Sequence, residues 1–560
     1  MFHDVPARPD YVALEEEVLR LWAERRVFEQ LRAQTQGGPR WSFLDGPITA
    51  NNPMGVHHAW GRTYKDVYNR FHAMLGHELR WQQGFDCQGL WVEVEVEKEL
   101  GFKSKREIES FGVDRFVDAC KQRVQRFAAV QAEQSRRLGY WMDWDNSYFT
   151  LSDENNYSIW GFLKLCHERG WLRRGHDVMP WCPRCGTALS EHEIATEGYA
   201  DRTHLALTVA LPLPDRPGEA LLAWTTTPWT LPANVAAAVN PELTYVRVQE
   251  AQSAERKAQN GTRLTCYWMV KEALERVSSF VLRPSSFVVR EELPGSALVG
   301  WRYAGPFDDL DAQAGVQHRV VAWDEVSANE GTGVVHVAPG AGKEDFALGQ
   351  ALGLAVLAPL NDAGVYVAGY GWLSGRAASD VPNEIAAELE RRGLLFARAQ
   401  HTHRYPVCWR CGTELVFRLV DEWLIGMDAL RGPMMDSARE ARWLPGFGLE
   451  RELDWLRNMG DWMISKKRYW GLALPIYPCA QCGHVTVVGS LEELRERAVA
   501  GWAAFEGHSP HRPWVDGVLV ACEACGTATQ RVPDVGNPWL DAGIVAFSTL
   551  RYRQDREYWR

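Results

Sequence analysis

No run of apolar residues in this 560-residue chain approaches 18, which excludes a membrane-spanning helix on hydropathy. The first residues, Met1-Phe-His-Asp-Val-Pro6, have neither a basic segment nor an apolar one behind it. No secretory signal peptide is therefore expected, and a cytoplasmic location is. Basic charge is not in excess: 61 Lys and Arg stand against 72 Asp and Glu, a net charge of −11. That excludes a protein coated in basic surface but leaves room for a local basic groove that binds RNA. A disulfide framework is also lacking. Cys87, Cys120, Cys166 and Cys266 are isolated, and the other eight of the twelve cysteines fall in Cys-x-x-Cys pairs, a pattern of metal ligation in a reduced chain. At this length a single core is excluded, and three or four domains are expected.

The pairs are Cys182/Cys185, Cys408/Cys411, Cys479/Cys482 and Cys522/Cys525. One pair offers two thiolates where structural zinc takes four. Trp181-Cys-Pro-Arg-Cys-Gly186 and Cys408-Trp-Arg-Cys-Gly412 look alike, and both run on into Thr, so they are expected to share one Zn2+. The two later pairs are expected to share a second Zn2+ in a small insertion at about 476–530. Pairing the first two knuckles across more than two hundred residues makes the segment between them an insertion that leaves and returns to one place.

The stretch from Trp41 to Asp66 reads as strand, tight turn and helix. Trp41 to Leu44 is apolar, Gly46 and Pro47 break the run, and from His57 onward Tyr64, Val67, Tyr68 and Phe71 recur at helical spacing. Such a unit places ligands at the carboxyl edge of a parallel sheet, where a helix N-terminus offers N–H groups to phosphate. His57 and His58 sit at that end and can donate to phosphate oxygens without a permanent charge. Glu78 to Trp81 reads as a second strand, and Asp86 lies in its loop, suited either to holding an ammonium group or to capping the next helix. Residues 10–33, 104–139 and 152–170 read as helices, with Ser104 and Ser152 as N-caps. Between about 200 and 402 strand-like segments dominate (His204 to Leu211, Ala220 to Thr225, Thr244 to Val248, Phe287 to Arg290, Val334 to Val337), which suggests a compact β-rich domain, barrel-like in outline. Thr225, Thr226 and Thr227 are either β-branched strand filler or, beside His336 and Asp345, groups that position water at an ester.

Gly46, Pro47, Thr49, Ala50 and Asn51 followed by Gly55-Val-His57-His58 resemble the ATP-binding signature of class I aminoacyl-tRNA synthetases, in the isoleucine branch. That signature normally reads His-x-Gly-His, so here the first His and the Gly have exchanged places. Trp224-Thr-Thr-Thr-Pro-Trp229-Thr resembles the isoleucine branch's editing domain, as does Gly331-Thr-Gly-Val-Val-His336-Val-Ala-Pro339 with Asp345 beyond it. Pro538-Trp539-Leu-Asp541-Ala-Gly543 is similar to the family's Val-Trp-Phe-Asp-Ser-Gly. Ile464-Ser-Lys-Lys-Arg468-Tyr-Trp470-Gly is similar to the segment leading into the second half of its nucleotide fold, which would turn Arg468 and Trp470 toward tRNA or the active cleft.

The resemblance implies an α/β fold. A Rossmann-like parallel-sheet catalytic core would occupy 41–175 and 426–560 behind a helical extension at 1–40. A β-rich editing domain at 200–402 would interrupt it, with zinc knuckles at 176–199 and 403–425 at its neck. It implies ATP with Mg2+, L-isoleucine and tRNA-Ile as substrates, no membrane partner, and a monomer. His57, His58 and Gly55 would act on phosphate. Gly46, Pro47, Asp86, Trp539 and Asp541 would bind the amino acid. Thr225, Thr226, Thr227, Trp229, His336 and Asp345 would edit Val-tRNA-Ile. Editing is needed because one methylene is worth only about 1–3 kcal/mol in an apolar pocket, the limit for which the isoleucine enzymes are themselves the reference case. No Lys-Met-Ser-Lys-Ser signature is found. The expectation is therefore an N-terminal part of such a ligase, completed by a further segment or a second chain. A free-standing editing hydrolase and a non-catalytic zinc-bearing RNA-binding remnant are the alternatives.

Overall fold

A computed structural model describes residues 8–41, 43–189, 194, 198–250, 264–280 and 287–559. The N-terminal hexapeptide, Ser42 in the first apolar run, and 190–193 and 195–197 in the first knuckle segment lie outside the described residues. The chain forms two compact units, one of Met1–Arg174 with Trp423–Arg560 and the other of Gly175–Glu422. Among the described residues no helix is long and apolar enough to cross a membrane.

The discontinuous unit is built on short parallel strands. Ile48–Thr49, Gly84–Asp86 and Tyr148–Phe149 form one three-stranded sheet, parallel throughout. Arg40–Trp41 and Glu78–Leu79 form a second parallel pair. Of the strand expected over Trp41 to Leu44, the described part is Arg40–Trp41, which begins a residue earlier; beyond it the buried Asp45 is met by the Lys65 ammonium and the Gln83 amide. The helix after the turn runs Val56–Met74.

Two of the expected long helices are each broken in two. Tyr11–Glu24 and Val27–Thr35 are separated where Arg26 takes a left-handed φ of 51°. Lys105–Phe111 and Val113–Arg137 are separated at Gly112. Ser152 caps Asp153–Glu168 as expected, accepting from the Asn155 N–H at 3.3 Å. At the other N-cap, the Glu107 carboxylate accepts from the Ser104 N–H at 3.1 Å.

Val113–Arg137 positions the signature turn. Its Arg123 donates to the Asn51 carbonyl at 2.6 Å, and Gln131 donates to the carbonyls of Thr49 and Asn52 at 3.0 and 2.9 Å. Gln134 accepts from the Met54 N–H at 2.7 Å. A turn rich in Asn, Pro and Gly has little regular hydrogen bonding of its own, so these side chains satisfy its backbone. The apolar face of the same helix, with Phe116, Val117, Cys120 and Val124, packs on Phe85, Val92 and Trp470.

Arg468 and Trp470 are not surface groups. Arg468 is 1% exposed and pairs with Glu93 at 2.9 Å and with Glu97, both from the helix Leu90–Leu100. Trp470 is fully buried, and its indole N–H donates to the Cys87 carbonyl at 2.9 Å. The basic and aromatic run that suggested an RNA-facing segment is interior because two acidic side chains on a neighbouring helix neutralise its arginine.

The unit Gly175–Glu422 is built on a nine-stranded mixed sheet. Its main path runs Phe287–Pro294, Thr244–Glu250, Cys266–Val270, Glu219–Thr225, Val335–Val337, Ala236–Val239, Arg319–Ala322. The long antiparallel pair Tyr199–Pro212 and Leu395–Pro406 branches from Glu219–Thr225. Among the described residues the sheet branches rather than closing into the expected barrel, because Glu219–Thr225 pairs with three different strands along its length. Ala236, Ala237, Ala238 and Val239 are all fully buried, as a strand covered on both faces requires.

Replacing Arg468 by Ala leaves Glu93 and Glu97 buried without their cation, a loss on the scale of about 3–5 kcal/mol. The urea midpoint of the first unfolding transition should fall markedly. An unchanged midpoint would show that the pair contributes nothing.

Candidate functional site

The carboxyl ends of the three parallel strands meet at one carboxylate. Asp86 ends Gly84–Asp86, Thr49 ends Ile48–Thr49, and Thr150 follows Tyr148–Phe149. The Thr49 hydroxyl donates to Asp86 Oδ2 at 3.0 Å and the Thr150 hydroxyl to Oδ1 at 3.2 Å. Burial pushes the Asp86 carboxyl up to about 6, against the pull of those hydroxyls. Asp541, on the helix Pro538–Gly543, is fully buried, and its Oδ1 accepts from the Gln88 amide at 2.8 Å. Its pKa is raised well above the carboxylate range by burial first and by the Asp86 charge second. Trp539, on the same short helix, is 62% exposed.

Beside this edge Gly55 is the N-cap of Val56–Met74. The Gly55 N–H donates to His58 Nδ1 at 3.1 Å, and the His57 and His58 rings lie 3.9 Å apart. Burial lowers the His58 pKa, as do the charges of His57, Arg62 and Lys65. A Cβ at position 55 would stand 2.9 Å from His57 Cε1. The exchanged signature therefore fits this turn: the glycine leaves the space into which the His57 ring folds. Gly46 is exposed and Pro47 half-buried on the approach to the same turn.

In the other unit, Thr225, Thr226, Thr227, Trp229, His336 and Asp345 line one cavity of about 430 Å³. The Thr227 N–H donates to the Thr225 hydroxyl at 3.1 Å. His336 is held at both ring nitrogens, with Asn234 Nδ2 at 3.2 Å from Nδ1 and the Thr230 hydroxyl at 2.6 Å from Nε2. The Tyr303 hydroxyl donates to Asn234 Oδ1 at 2.7 Å, which turns the Asn234 NH2 toward His336. Nδ1 is therefore the acceptor, the ring hydrogen is on Nε2, and Thr230 passes its own hydrogen to the Thr227 carbonyl at 2.8 Å. Burial lowers His336 to about 4. It is a neutral donor and not a base at neutral pH. Asp345, in the first turn of Lys343–Leu352, accepts from the Ala338 N–H at 2.7 Å, and burial pushes it up to about 6.

Asn234, Thr230, Tyr303 and Thr150 escape the sequence reading. Thr230 lies within the Trp-Thr-Thr-Thr-Pro-Trp-Thr stretch and was within reach of a pattern argument. Asn234 and Tyr303 carry no local signal, since only the fold brings them to His336.

The cysteines form two four-thiol clusters, Cys182/Cys185/Cys408/Cys411 and Cys479/Cys482/Cys522/Cys525, with all sulfurs in each within 4.8 Å. Sulfur separations of 3.5 and 3.7 Å in the first and 3.6 Å twice in the second fit tetrahedral ligation with Zn–S of about 2.3 Å and are far from a disulfide of about 2.05 Å. Each Cys-x-x-Cys closes by the same bond, from the N–H of the following glycine to the first cysteine's carbonyl, at 2.7–2.9 Å. Those glycines, Gly186, Gly412, Gly483 and Gly526, all have φ between 61° and 75°, a left-handed turn that disfavours any side chain.

Residues 17–559 match the family model described as tRNA synthetases class I (I, L, M and V). Similar curated proteins include the isoleucine--tRNA ligases of Methanothermobacter thermautotrophicus, 37% identical over 98% of this chain and 50% of that protein, and of Methanothrix thermoacetophila, 38% identical over 100% and 52%. That of Thermus thermophilus is 39% identical over 100% and 51%. The chain spans about half the length of the curated relatives it matches.

Two measurements test these sites. Purified without chelator, the chain should carry two equivalents of zinc, with Cys185→Ala and Cys522→Ala each removing one. Either substitution removing both equivalents would refute separate clusters. Folded His336 binds its proton less tightly than the usual 6.5, so this group withdraws stability as pH falls from about 6.5 toward about 4. Its ring resonances should stay those of the Nε2–H form from pH 8 to pH 5.5, and titration near pH 6.5 would contradict the assignment.

Proposed function

The chain belongs to the class I tRNA synthetases (I, L, M and V), and from that footing we propose that it is the activating and editing part of an isoleucine–tRNA ligase. The observation that carries the reading is the meeting of Thr49, Asp86 and Thr150 at the carboxyl edge of the parallel sheet, beside the helix end bearing His57 and His58. The Asp86 carboxylate holds the ammonium of isoleucine, while Gly46, Pro47 and Trp539 frame its side chain and Asp541 completes the pocket. His57 and His58 donate to phosphate oxygens at the helix N-terminus, and Mg2+ accompanies ATP. No protein nucleophile is needed: the isoleucine carboxylate attacks the α-phosphorus and expels pyrophosphate as the α–β phosphoanhydride bond breaks, assisted by holding the reactants in line and by stabilising charge on the phosphate. The acyl group then passes to a hydroxyl at the 3′ end of tRNA-Ile, and AMP leaves.

The cavity in Gly175–Glu422 is the editing site. Asp345 takes the amino group of a mischarged valyl ester, and the threonine hydroxyls hold the attacking water. His336, fixed as a donor, orients Thr230 and the carbonyl of Thr227 rather than accepting a proton. Because this cavity is built within one compact unit, a second reading is supported: the chain as it stands clears Val-tRNA-Ile by hydrolysis without activating isoleucine. The two thiol clusters hold zinc for structure, since four thiolates leave no open position for chemistry.

The test separates the two sites on one chain. Asp86→Asn should weaken isoleucine binding by roughly tenfold or more, the scale of a lost charge-assisted contact, and leave hydrolysis of Val-tRNA-Ile unaffected. Asp345→Ala should abolish that hydrolysis and leave isoleucine binding intact. In the unaltered chain hydrolysis should decline as pH falls through about 6, where Asp345 takes up its proton. Isoleucine binding unmoved by Asp86→Asn would overturn the first assignment, and hydrolysis surviving Asp345→Ala the second. Isoleucine-dependent pyrophosphate exchange by this chain would decide for the ligase over the hydrolase alone.

A further inference from the structure

A line of hydrogen bonds, half-buried at Lys121 and Ser509 and buried from His511 on, runs from an ammonium to Asp541 through His511, a residue in the cysteine-bearing insertion. Lys121 Nζ lies 3.0 Å from Ser509 Oγ, Ser509 Oγ 2.8 Å from His511 Nδ1, and His511 Nε2 3.0 Å from Gln88 Oε1. Gln88 Nε2 lies 2.8 Å from Asp541 Oδ1. His511 and Asp541 are fully buried, and Gln88 is 1% exposed. The direction of every bond is forced. Gln88 Nε2 also faces the Thr150 carbonyl at 2.9 Å and Asn156 Oδ1 at 3.1 Å. Its surroundings there accept hydrogen bonds, so the amide orientation is settled. Oε1 must then accept from His511 Nε2. Burial, with Lys121's charge second, keeps the imidazole neutral down to about 3, which leaves Nδ1 to accept from the Ser509 hydroxyl. Ser509 accepts in turn from Lys121, which can only donate.

The ring is also held flat. Trp470 stacks on it at 5.0 Å with 16° between the planes, and the Trp470 indole N–H is tied to the Cys87 carbonyl. The line ends on a carboxylate with one occupied oxygen. Asp541 Oδ2 is buried and has no hydrogen-bond partner, within electrostatic reach of Asp86. The segment that follows Asp86 and carries Gln88 touches the Asp541 helix where Pro538 packs on Gly89. Without a ligand, burial and the Asp86 charge hold Asp541 in its protonated form; donors brought to Oδ2 by a cationic ligand favour the carboxylate instead. An ammonium group supplies such donors.

We propose that His511, with its hydrogen on Nε2, is a positioning residue for the amino-acid site: it fixes the Gln88 amide and through it the Asp541 carboxylate, so that Asp541 Oδ2 and Asp86 together seat the substrate ammonium. The inference rests on the amino-acid-binding reading above and adds to it a second carboxylate and the group that aims it. No proton is transferred along the line. Its function is orientation; it starts at Lys121 on the helix Val113–Arg137, and Ser509 and His511 come from the insertion between the second pair of cysteine knuckles.

The test compares two probes on the full chain, isoleucine and its deaminated analogue 3-methylpentanoate, by calorimetry. His511→Ala should weaken isoleucine by about tenfold or more, the scale of a contact to a charged group, and leave the analogue's affinity unchanged. Ser509→Ala retains the imidazole and frees Nδ1, and it should move isoleucine in the same direction by less. Should His511→Ala not fold, Ser509→Ala carries the comparison alone. Equal losses for both probes would mean a structural role only, and no loss for either would mean no role; either result overturns the inference. If the unaltered chain binds no isoleucine, the amino-acid reading falls and this inference with it.

Discussion

The discontinuous unit depends on one carboxylate at a sheet edge. Asp86 stands where three parallel strands end, and a threonine hydroxyl from the strand on each side reaches it. Parallel strands end together at one edge, so a side chain there is within reach of both neighbours without any help from loops. The two hydroxyls compensate part of the cost of withdrawing the charge from water, yet burial still pushes the group up to about 6. What remains is an anion whose own surroundings do not fully satisfy it, suited to a cationic ligand. Gln88, through its backbone N–H, and Asp541, through its charge, act at the same point, and His511 stands behind Gln88. The helix Val113–Arg137 serves it indirectly by holding the turn between Thr49 and Met54.

The second unit solves a different problem with similar means. Its cavity brings Thr225, Thr227 and Thr230 close to an imidazole whose tautomer is settled two residues away from any ligand: Tyr303 orients Asn234, and Asn234 orients His336. In both units a buried neutral histidine is locked as a donor by an amide side chain or a hydroxyl, and in both the carboxylate beside the site is raised by burial. Neither histidine has the freedom to act as a base near pH 7. Both arrangements fit the proposed reading, in which positioning and electrostatics carry the chemistry.

The motifs were legible to different depths. The strand–turn–helix unit, the N-cap Ser152 and the pairing of the four cysteine knuckles follow from local chemistry, because ligand spacing and capping act within a few residues. The exchanged His57 and Gly55 could be described from the sequence but not judged: whether the turn tolerates them depends on where a ring folds relative to a missing Cβ. Of the two readings of Arg468 and Trp470, the one that turned them toward tRNA fails, because both are buried. A basic and aromatic run has the same composition whether it faces RNA or two buried glutamates, and Glu93 and Glu97 lie more than three hundred and seventy residues earlier in the chain.

By itself, the sequence determined the chemical inventory: which residues can meet phosphate, hold an ammonium or bind zinc, and that the segment between the first two knuckles is an excursion. Spacing is a local property and survives without coordinates. Tertiary structure alone decided the environments. Thr150 beside Asp86, Asn234 behind His336, and His511 aiming Gln88 at Asp541 are contacts between segments far apart in the chain. Protonation, tautomer and orientation depend on burial and on hydrogen-bond direction, and neither exists until the chain has folded.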